Sequence, residues 1–348
     1  APQNIDTNPI ITGHEFAGVI VKVGKKWQDQ FKPGMRFAQQ PALNYKGSLA
    51  SPGYSYEFFG GDATYCIFPH EVMELGALMP YEGESFIEAS LGEPMSCIIG
   101  GYHANYHTNK QNYEHAMGTK EGGNIIILGG CGPMGLGAVS YGINYKNKPK
   151  RIVVTDINEA RIARAKEVVS PEYAAEHGVE LIYVNTSNMD TAYDDLMALT
   201  DGHGYDDVFV YTPIRAVAEL GGRLLAFDGC LNFFSGPTDK NFSAEINLYD
   251  CHYTSTHIMG TTGGNNDDLI EANTLAAKGI IDPAVMVTHV GGIDSIAETT
   301  LNLPNIPGGK KLAYTQFDMP MTAIEDFAKL GEKDPFFLEL DKCCKAHK

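Results

Sequence analysis

Apolar residues follow two different rhythms along this chain, and the change of rhythm divides it. From residue 124 onward short unbroken runs recur: Ile125-Ile126-Ile127-Leu128, Ile152-Val153-Val154-Thr155, Leu181-Ile182-Tyr183-Val184, Val208-Phe209-Val210-Tyr211 and Cys230-Leu231-Asn232-Phe233-Phe234. A strand covered on both faces reads this way, because neither face can be polar. Helical patterns over residues 194–200 and 216–225 fall between the later runs. Strand alternating with helix predicts an α/β fold, a doubly wound parallel sheet with ligands at the carboxyl ends of its strands.

Before residue 100 the chain is punctuated by turns. Residues 12–24 carry an alternating, β-branched strand with glycines at 13, 18 and 24. Pro33-Gly34, Pro52-Gly53 and Gly60-Gly61 then interrupt short strand-like runs such as residues 63–68. That text predicts a compact, irregular β-rich unit. A helical pattern follows Glu93-Pro94 through Ile98, Ile99, Tyr102 and His103. Pro94 suits a first helical turn, and Glu93 just before it has N-capping as its plain structural role. Beyond residue 260 the loop Thr261-Thr262-Gly263-Gly264-Asn265-Asn266 reads as a crossing back to the first unit, completed by a helix over 267–278 and runs at 285–290 and 310–315. The expected division is 97–264 for the α/β unit, and 1–96 with 265–348 for the β-rich one.

Composition narrows the partners. The 348 residues, 43% hydrophobic and 20% charged, suit about two globular domains. A net charge of -17 opposes nucleic acid and anionic membrane as partners, since both need basic surface. Residues 124–145 are uncharged, but six glycines and Pro133 break that window and no basic cluster flanks it, so no membrane span is expected. Cysteines at 66, 97, 131, 230, 251, 343 and 344 show neither zinc-finger nor disulfide-framework spacing. They suit a reducing cytoplasm. The opening Ala1-Pro2-Gln3-Asn4 has no signal pattern and no initiator Met.

Candidate chemistry begins where the first long run ends. Gly130, Gly132 and Gly135, with Pro133 and Met134 inside the turn, fit G-x-G-x-x-G at a strand-to-helix junction. A side chain at Gly132 would hold a pyrophosphate away from the backbone, and Gly135 allows close helix packing. The helix N-terminus offers unpaired N–H groups to the phosphates. Asp156 ends the second run about twenty residues further on, where a carboxylate accepts ribose hydroxyls of NAD and repels a 2'-phosphate. Its bland role is to start a turn or cap the helix carrying Arg161 and Arg164. These features predict a Rossmann cofactor domain.

His14 and Glu15 are adjacent, so both reach one metal only if the backbone bends, and Gly13 permits that. A buried, hydrogen-bonded His beside a surface Glu is the commoner outcome. His103 and His107 stand at i, i+4, but Ala104 replaces the Glu of H-E-x-x-H, so both read as ordinary helix residues.

Gly13-His14-Glu15 with Gly18 and Gly24, Gly92-Glu93-Pro94, the fingerprint with Asp156, and Val287-Thr288-His289, in that order over nearly the whole chain, resemble the zinc-dependent medium-chain alcohol dehydrogenases. Glu93-Pro94 is similar to their polyol (sorbitol) branch, since the simple-alcohol branch usually carries Cys there. The wording around residues 40–47, 93–97 and 228–234 resembles the ketose-phosphate reductases of that branch. The resemblance implies a GroES-like catalytic domain together with the Rossmann domain, NAD(H), and one catalytic Zn2+ held by His14, Glu15 and Glu93. Glu93 either ligates the zinc or hydrogen-bonds its water. An open coordination position then lets zinc act as a Lewis acid on a ketone. The implied reaction is L-sorbose 1-phosphate to D-glucitol 6-phosphate, in a cytoplasmic dimer or tetramer joined around residues 253–260.

Two departures matter. The family's first zinc ligand is a Cys, followed by a relay Ser or Thr, further upstream than the thirteen residues that precede His14. The expectation is that this segment is missing from the sequence. The family's four-Cys structural lobe would fall between about residues 35 and 65, yet the first cysteine is Cys66, so no structural zinc is expected. Two alternatives stay open: an unphosphorylated polyol or hydroxy amino acid as substrate, and a non-catalytic dinucleotide-binding protein. Lys46, Arg215, Lys310 and Lys311 are candidates for holding a phosphate, each equally readable as solvated surface. Asn44-Tyr45-Lys46 and Tyr54-Ser55-Tyr56 are candidate substrate contacts on the same terms.

Overall fold

Antiparallel pairing organises the first part of the chain. Strands β1 (Ala17–Val19), β2 (Arg36–Gln39) and β3 (Leu78–Pro80) form a sheet with β2 in the middle, Gly18 opposite Phe37 and Phe37 opposite Pro80. Its core is aromatic: Phe16, Phe37, Phe59 and Phe68 meet at ring separations of 4.6 to 6.2 Å, several edge-on as ring quadrupoles prefer. The strand expected over residues 12–24 shortens to β1, and residues 63–68 form none. Alternation is present there, since Tyr65 and Ile67 are exposed while Cys66 and Phe68 pack inward. The backbone there pairs with no strand, although the Ile67 N–H donates to Phe58 O at 2.7 Å, and a face pattern becomes a ladder only beside a partner strand.

The parallel sheet follows. After a hairpin of β4 (Tyr106–Thr108) and β5 (His115–Met117) come β6 (Asn124–Leu128), β7 (Arg151–Asp156), β8 (Glu180–Asn185), β9 (Tyr205–Val210), β10 (Leu225–Phe233) and β11 (His257–Gly260). Their spatial order is β11-β10-β9-β6-β7-β8, with every neighbouring pair parallel. Chain order reverses between β6 and β9, so the ligand crevice of this sheet opens at their carboxyl ends. Ile125, Ile126, Ile127, Ile152, Val153 and Val154 have no exposed surface, each burial contributing about 1.5–3 kcal/mol. Asn188 caps the helix Met189–Ala198 by accepting the Asp190 N–H, which starts that helix earlier than residue 194.

Strands β12 (Val287–Gly292), β13 (Lys310–Tyr314) and β14 (Thr322–Ala323) form a second three-stranded sheet, ordered β13-β12-β14. The computed structural model describes residues 7–109 and 111–346; the amino-terminal Ala1-Pro2-Gln3-Asn4 lies outside the described residues. The chain divides into two compact units, one of Ala1–Glu93, Asn273–Gly279 and Pro283–Lys348, the other of Pro94–Ala272 and Ile280–Asp282. Among the described residues no helix is long and apolar enough to cross a membrane.

Helix Gly92–Ala104 corrects two expectations. Glu93 lies within its first turn rather than before it, and His107 is not helical but sits on β4. Asn105 leaves the helix to donate to the fully buried Asp207 at 2.7 Å, and His107 Nε2 approaches the same oxygen at 3.2 Å. His107 Nδ1 lies 2.9 Å from the Asp228 carbonyl, and the Lys120 N–H donates to the second Asp207 oxygen. A buried carboxylate thus pins the hairpin to the sheet.

Burial favours neutral His107, but the hydrogen bond and charge of Asp207, and then Asp228, outweigh it and raise the imidazole above 6.5. A folded pKa above the unfolded one gives stability that is complete below the unfolded value and lost as pH rises through the folded value. His107→Gln should therefore flatten the fall in melting temperature above about pH 6.5. His107→Ala, which strips a partner from buried Asp207, should cost about 1–3 kcal/mol in urea unfolding near pH 6.

Candidate functional site

Extended backbone sends successive side chains to opposite faces, so His14 and Glu15 share a site only across a bend. Gly13 makes it at φ +81°, where a Cβ would lie 2.8 Å from Asp62 Oδ1. A loop then clamps the segment: Ile11 N–H donates to Tyr56 O at 3.1 Å, Gly61 N–H to Gly13 O at 2.8 Å, and Asp62 N–H to Thr12 O at 2.9 Å. Contact is close enough that a Cβ on Gly60 would stand 2.3 Å from the Ile11 carbonyl oxygen. As a result, one ligating atom each from His14, Glu15 and Glu93 lie within 4.8 Å of one another, the one such group of three among the described residues.

Burial pushes the His14 imidazole below its usual pKa; the Glu15 charge pulls it up, Lys310 adds to the lowering, and Asp62 opposes it. A neutral ring keeps the lone pair that a metal needs. One imidazole nitrogen and two carboxylates are a donor set that suits catalytic zinc. The Tyr54 ring lies 5.2 Å from the His14 ring, and burial, followed by the charges of Glu93 and Glu15, raises its pKa so that the phenol keeps its proton.

Sequence reasoning missed what faces Glu15. The Lys310 ammonium donates to both of its oxygens, at 2.7 and 2.6 Å, across 295 positions of chain. No spacing signal links residues so far apart. Of the other candidate cations, Lys46 lies 4.7 Å over the Tyr45 ring, Lys311 donates to the carbonyls of Pro307 and Gly309, and Arg215 donates to Ser243 Oγ. Tyr45 and Tyr56 spend their hydroxyls on Glu74 and Glu71.

The glycine turn follows β6 in the other unit. Gly129 adopts φ +70°, and the Gly130 N–H donates to Thr155 O at 2.8 Å. A Cβ on Gly135 would lie 2.2 Å from Gly130 O, so the helix Pro133–Asn144 packs directly on the turn. At Gly132 a Cβ would meet nothing within 4 Å, which leaves backbone approachable next to the first turn of that helix, with Pro133 and Met134 as its first residues. Asp156 closes β7 and starts the turn after it, while Asn158 caps the following helix by accepting the Arg161 N–H. Asp156 Oδ1 accepts the N–H groups of Ile157 and Asn158 at 2.8 and 3.0 Å, while Oδ2 lies 4.0 Å from Arg161.

Two family models match this chain, one described as an alcohol dehydrogenase GroES-like domain over residues 3–79 and one as a zinc-binding dehydrogenase over 133–278. Mannitol-1-phosphate 5-dehydrogenase of Aliivibrio fischeri is 54% identical over 340 residues, covering 98% of this chain and 80% of that protein. The chain belongs to the zinc-binding alcohol dehydrogenases. L-sorbose 1-phosphate reductase of Klebsiella pneumoniae is 44% identical over 327 residues, 94% of this chain and 78% of that one. The 2R,3R-butanediol dehydrogenase structure from Bacillus subtilis has a TM-score of 0.67 at 21% identity, covering 87% of this chain and 80% of its own, and shares the fold. This alcohol dehydrogenase is thus a zinc- and NAD(P)-linked oxidoreductase with Rossmann and GroES-like domains, and the non-catalytic alternative falls away.

Gly135→Ala should weaken dinucleotide binding by at least about tenfold, roughly 1.4 kcal/mol, because Gly130 backbone must move. Fluorescence titration with NADH measures this; unchanged affinity would contradict the packing argument.

Proposed function

We propose that this alcohol dehydrogenase reduces a ketose phosphate to a polyol phosphate with NADH, taking L-sorbose 1-phosphate to D-glucitol 6-phosphate. The observation that carries the reading is the convergence of His14, Glu15 and Glu93 within 4.8 Å. The names of the two relatives, each a sugar-phosphate oxidoreductase, support the phosphorylated substrate over a free polyol or hydroxy amino acid. Residues 97–264 serve as the dinucleotide domain, and residues 1–96 with 265–348 as the catalytic one.

In the reaction a hydride from nicotinamide C4 adds to the ketone carbon, a proton adds to its oxygen, and NADH becomes NAD. The chemistry supplied by bound zinc is Lewis acidity, which stabilises negative charge on the ketone oxygen as hydride arrives. His14, whose pKa burial lowers, would hold that ion together with Glu15 and Glu93, and the protonated Tyr54 phenol presents a donor next to them. Gly130, Gly132, Pro133, Met134 and Gly135 seat the pyrophosphate, and Asp156 accepts the ribose hydroxyls. We propose a single zinc, with no structural one, and a cytoplasmic location in keeping with seven free thiols.

Assembly follows from the sheet edge. Strand β11 is terminal in its sheet, and Leu248, Tyr249, Tyr253 and Ile258 next to it in sequence or within it are exposed. A terminal strand with exposed apolar neighbours fits pairing with a second copy.

Removing zinc with a chelator should lower turnover of L-sorbose 1-phosphate by about a hundredfold or more, roughly 2.7 kcal/mol of barrier. Undiminished turnover by metal-free protein would remove the mechanism. The same assay should favour NADH over NADPH by about tenfold, and the reverse preference would contradict the Asp156 reading. Light scattering should give a dimer or tetramer; a monomer would end the edge-pairing proposal.

A further inference from the structure

A lysine is an odd neighbour for a metal-binding carboxylate. Lys310 lies 2.6 and 2.7 Å from the two Glu15 oxygens with only 20% of its side chain exposed, and a cation there competes with any metal that Glu15 would hold. Merely orienting Glu15 would need no more than a neutral donor. A positive charge next to Glu15 and Glu93 favours the approach of a dianion, which those two carboxylates repel.

We propose that Lys310 holds the substrate's phosphate, and that its position selects a phosphate on the carbon next to the reacting carbonyl. The inference rests on the ketose-phosphate reading above and deepens it. An ammonium carries three donors, and two point at Glu15, leaving one for an incoming anion. Reach decides the regiochemistry. In a 2-ketose 1-phosphate the phosphorus stands three bonds from the carbonyl carbon, about 4 Å; in a 2-ketose 6-phosphate it stands six bonds away, about 7 Å when extended. An ammonium one carboxylate removed from ligand atoms that are themselves within 4.8 Å of each other matches the shorter span. Of the other two candidate lysines, Lys46 lies against the Tyr45 ring and Lys311 donates to main-chain carbonyls, whereas Lys310 contacts a member of the three-residue group itself.

The test compares L-sorbose 1-phosphate, D-fructose 6-phosphate and L-sorbose as substrates of the wild type, Lys310→Met and Lys310→Arg. Zinc content and melting temperature are measured for each protein, and L-sorbose 1-phosphate binding is measured directly by calorimetry. We expect the wild type to prefer L-sorbose 1-phosphate. The Met variant should bind it about tenfold or more weakly and raise its KM equally, with zinc retained and KM for L-sorbose nearly unchanged. The Arg variant should recover most of the affinity, and Lys46→Met should match the wild type. Equal losses on phosphorylated and free sugar, loss of zinc, or an undiminished phosphate preference in the Met variant would each overturn the assignment. Wild-type preference for D-fructose 6-phosphate would overturn the regiochemistry while sparing the ketose-phosphate reading. Indifference to phosphate in the wild type would overturn that reading itself.

Discussion

Two neighbouring side chains on an extended strand face away from each other, and the cluster of His14, Glu15 and Glu93 exists because this chain breaks that rule at one residue. Gly13 turns the backbone into the left-handed region, and the loop through Gly53, Gly60 and Gly61 presses against it from outside. The pressure is backbone against backbone: a methyl group at Gly53 would lie 2.9 Å from the Gly13 carbonyl carbon. Main-chain crowding therefore aims His14 and Glu15, and the Tyr54 ring and the Lys310 ammonium then meet their side chains. The aromatic cluster of Phe16, Phe37, Phe59 and Phe68 holds the strand that follows, so the bend has a rigid footing.

Charge sets what this geometry can hold. Two carboxylates and a half-buried imidazole invite a divalent cation, while Lys310 offsets part of the negative charge before any ligand arrives. The pair is partly buried, so solvent and salt screen its field less than on an open surface, and whatever binds beside it feels that field. The surplus of acid over the whole chain, -17, is a solubility property and does not predict the cation at the site.

The dinucleotide unit works by a different constraint, close approach. Gly130 and Gly135 leave no room for a Cβ, whereas Gly132 has open space around it, so three glycines of one motif serve two purposes. Behind them the sheet is closed by aliphatic side chains with no exposed surface, and at β9 by the buried Asp207, whose hydrogen bonds from Asn105, His107 and Lys120 replace the water it lost. That network explains why the chain leaves its helix after Ala104, where residue spacing alone suggests that it continues.

Period and composition were enough to read the parallel sheet, the glycine turn and Asp156 at the end of its strand, because a doubly covered strand and a tight strand-to-helix turn each impose their residues locally. The need for a bend at Gly13 was equally legible, since it follows from strand geometry. What local pattern could not decide was pairing. Residues 63–68 alternate like a strand and have none beside them, and His107 sits on β4 because Asp207, a hundred residues away, draws it there. The Lys310–Glu15 contact is the extreme case: it joins residues 295 positions apart, and only the folded chain brings their charges within hydrogen-bonding distance.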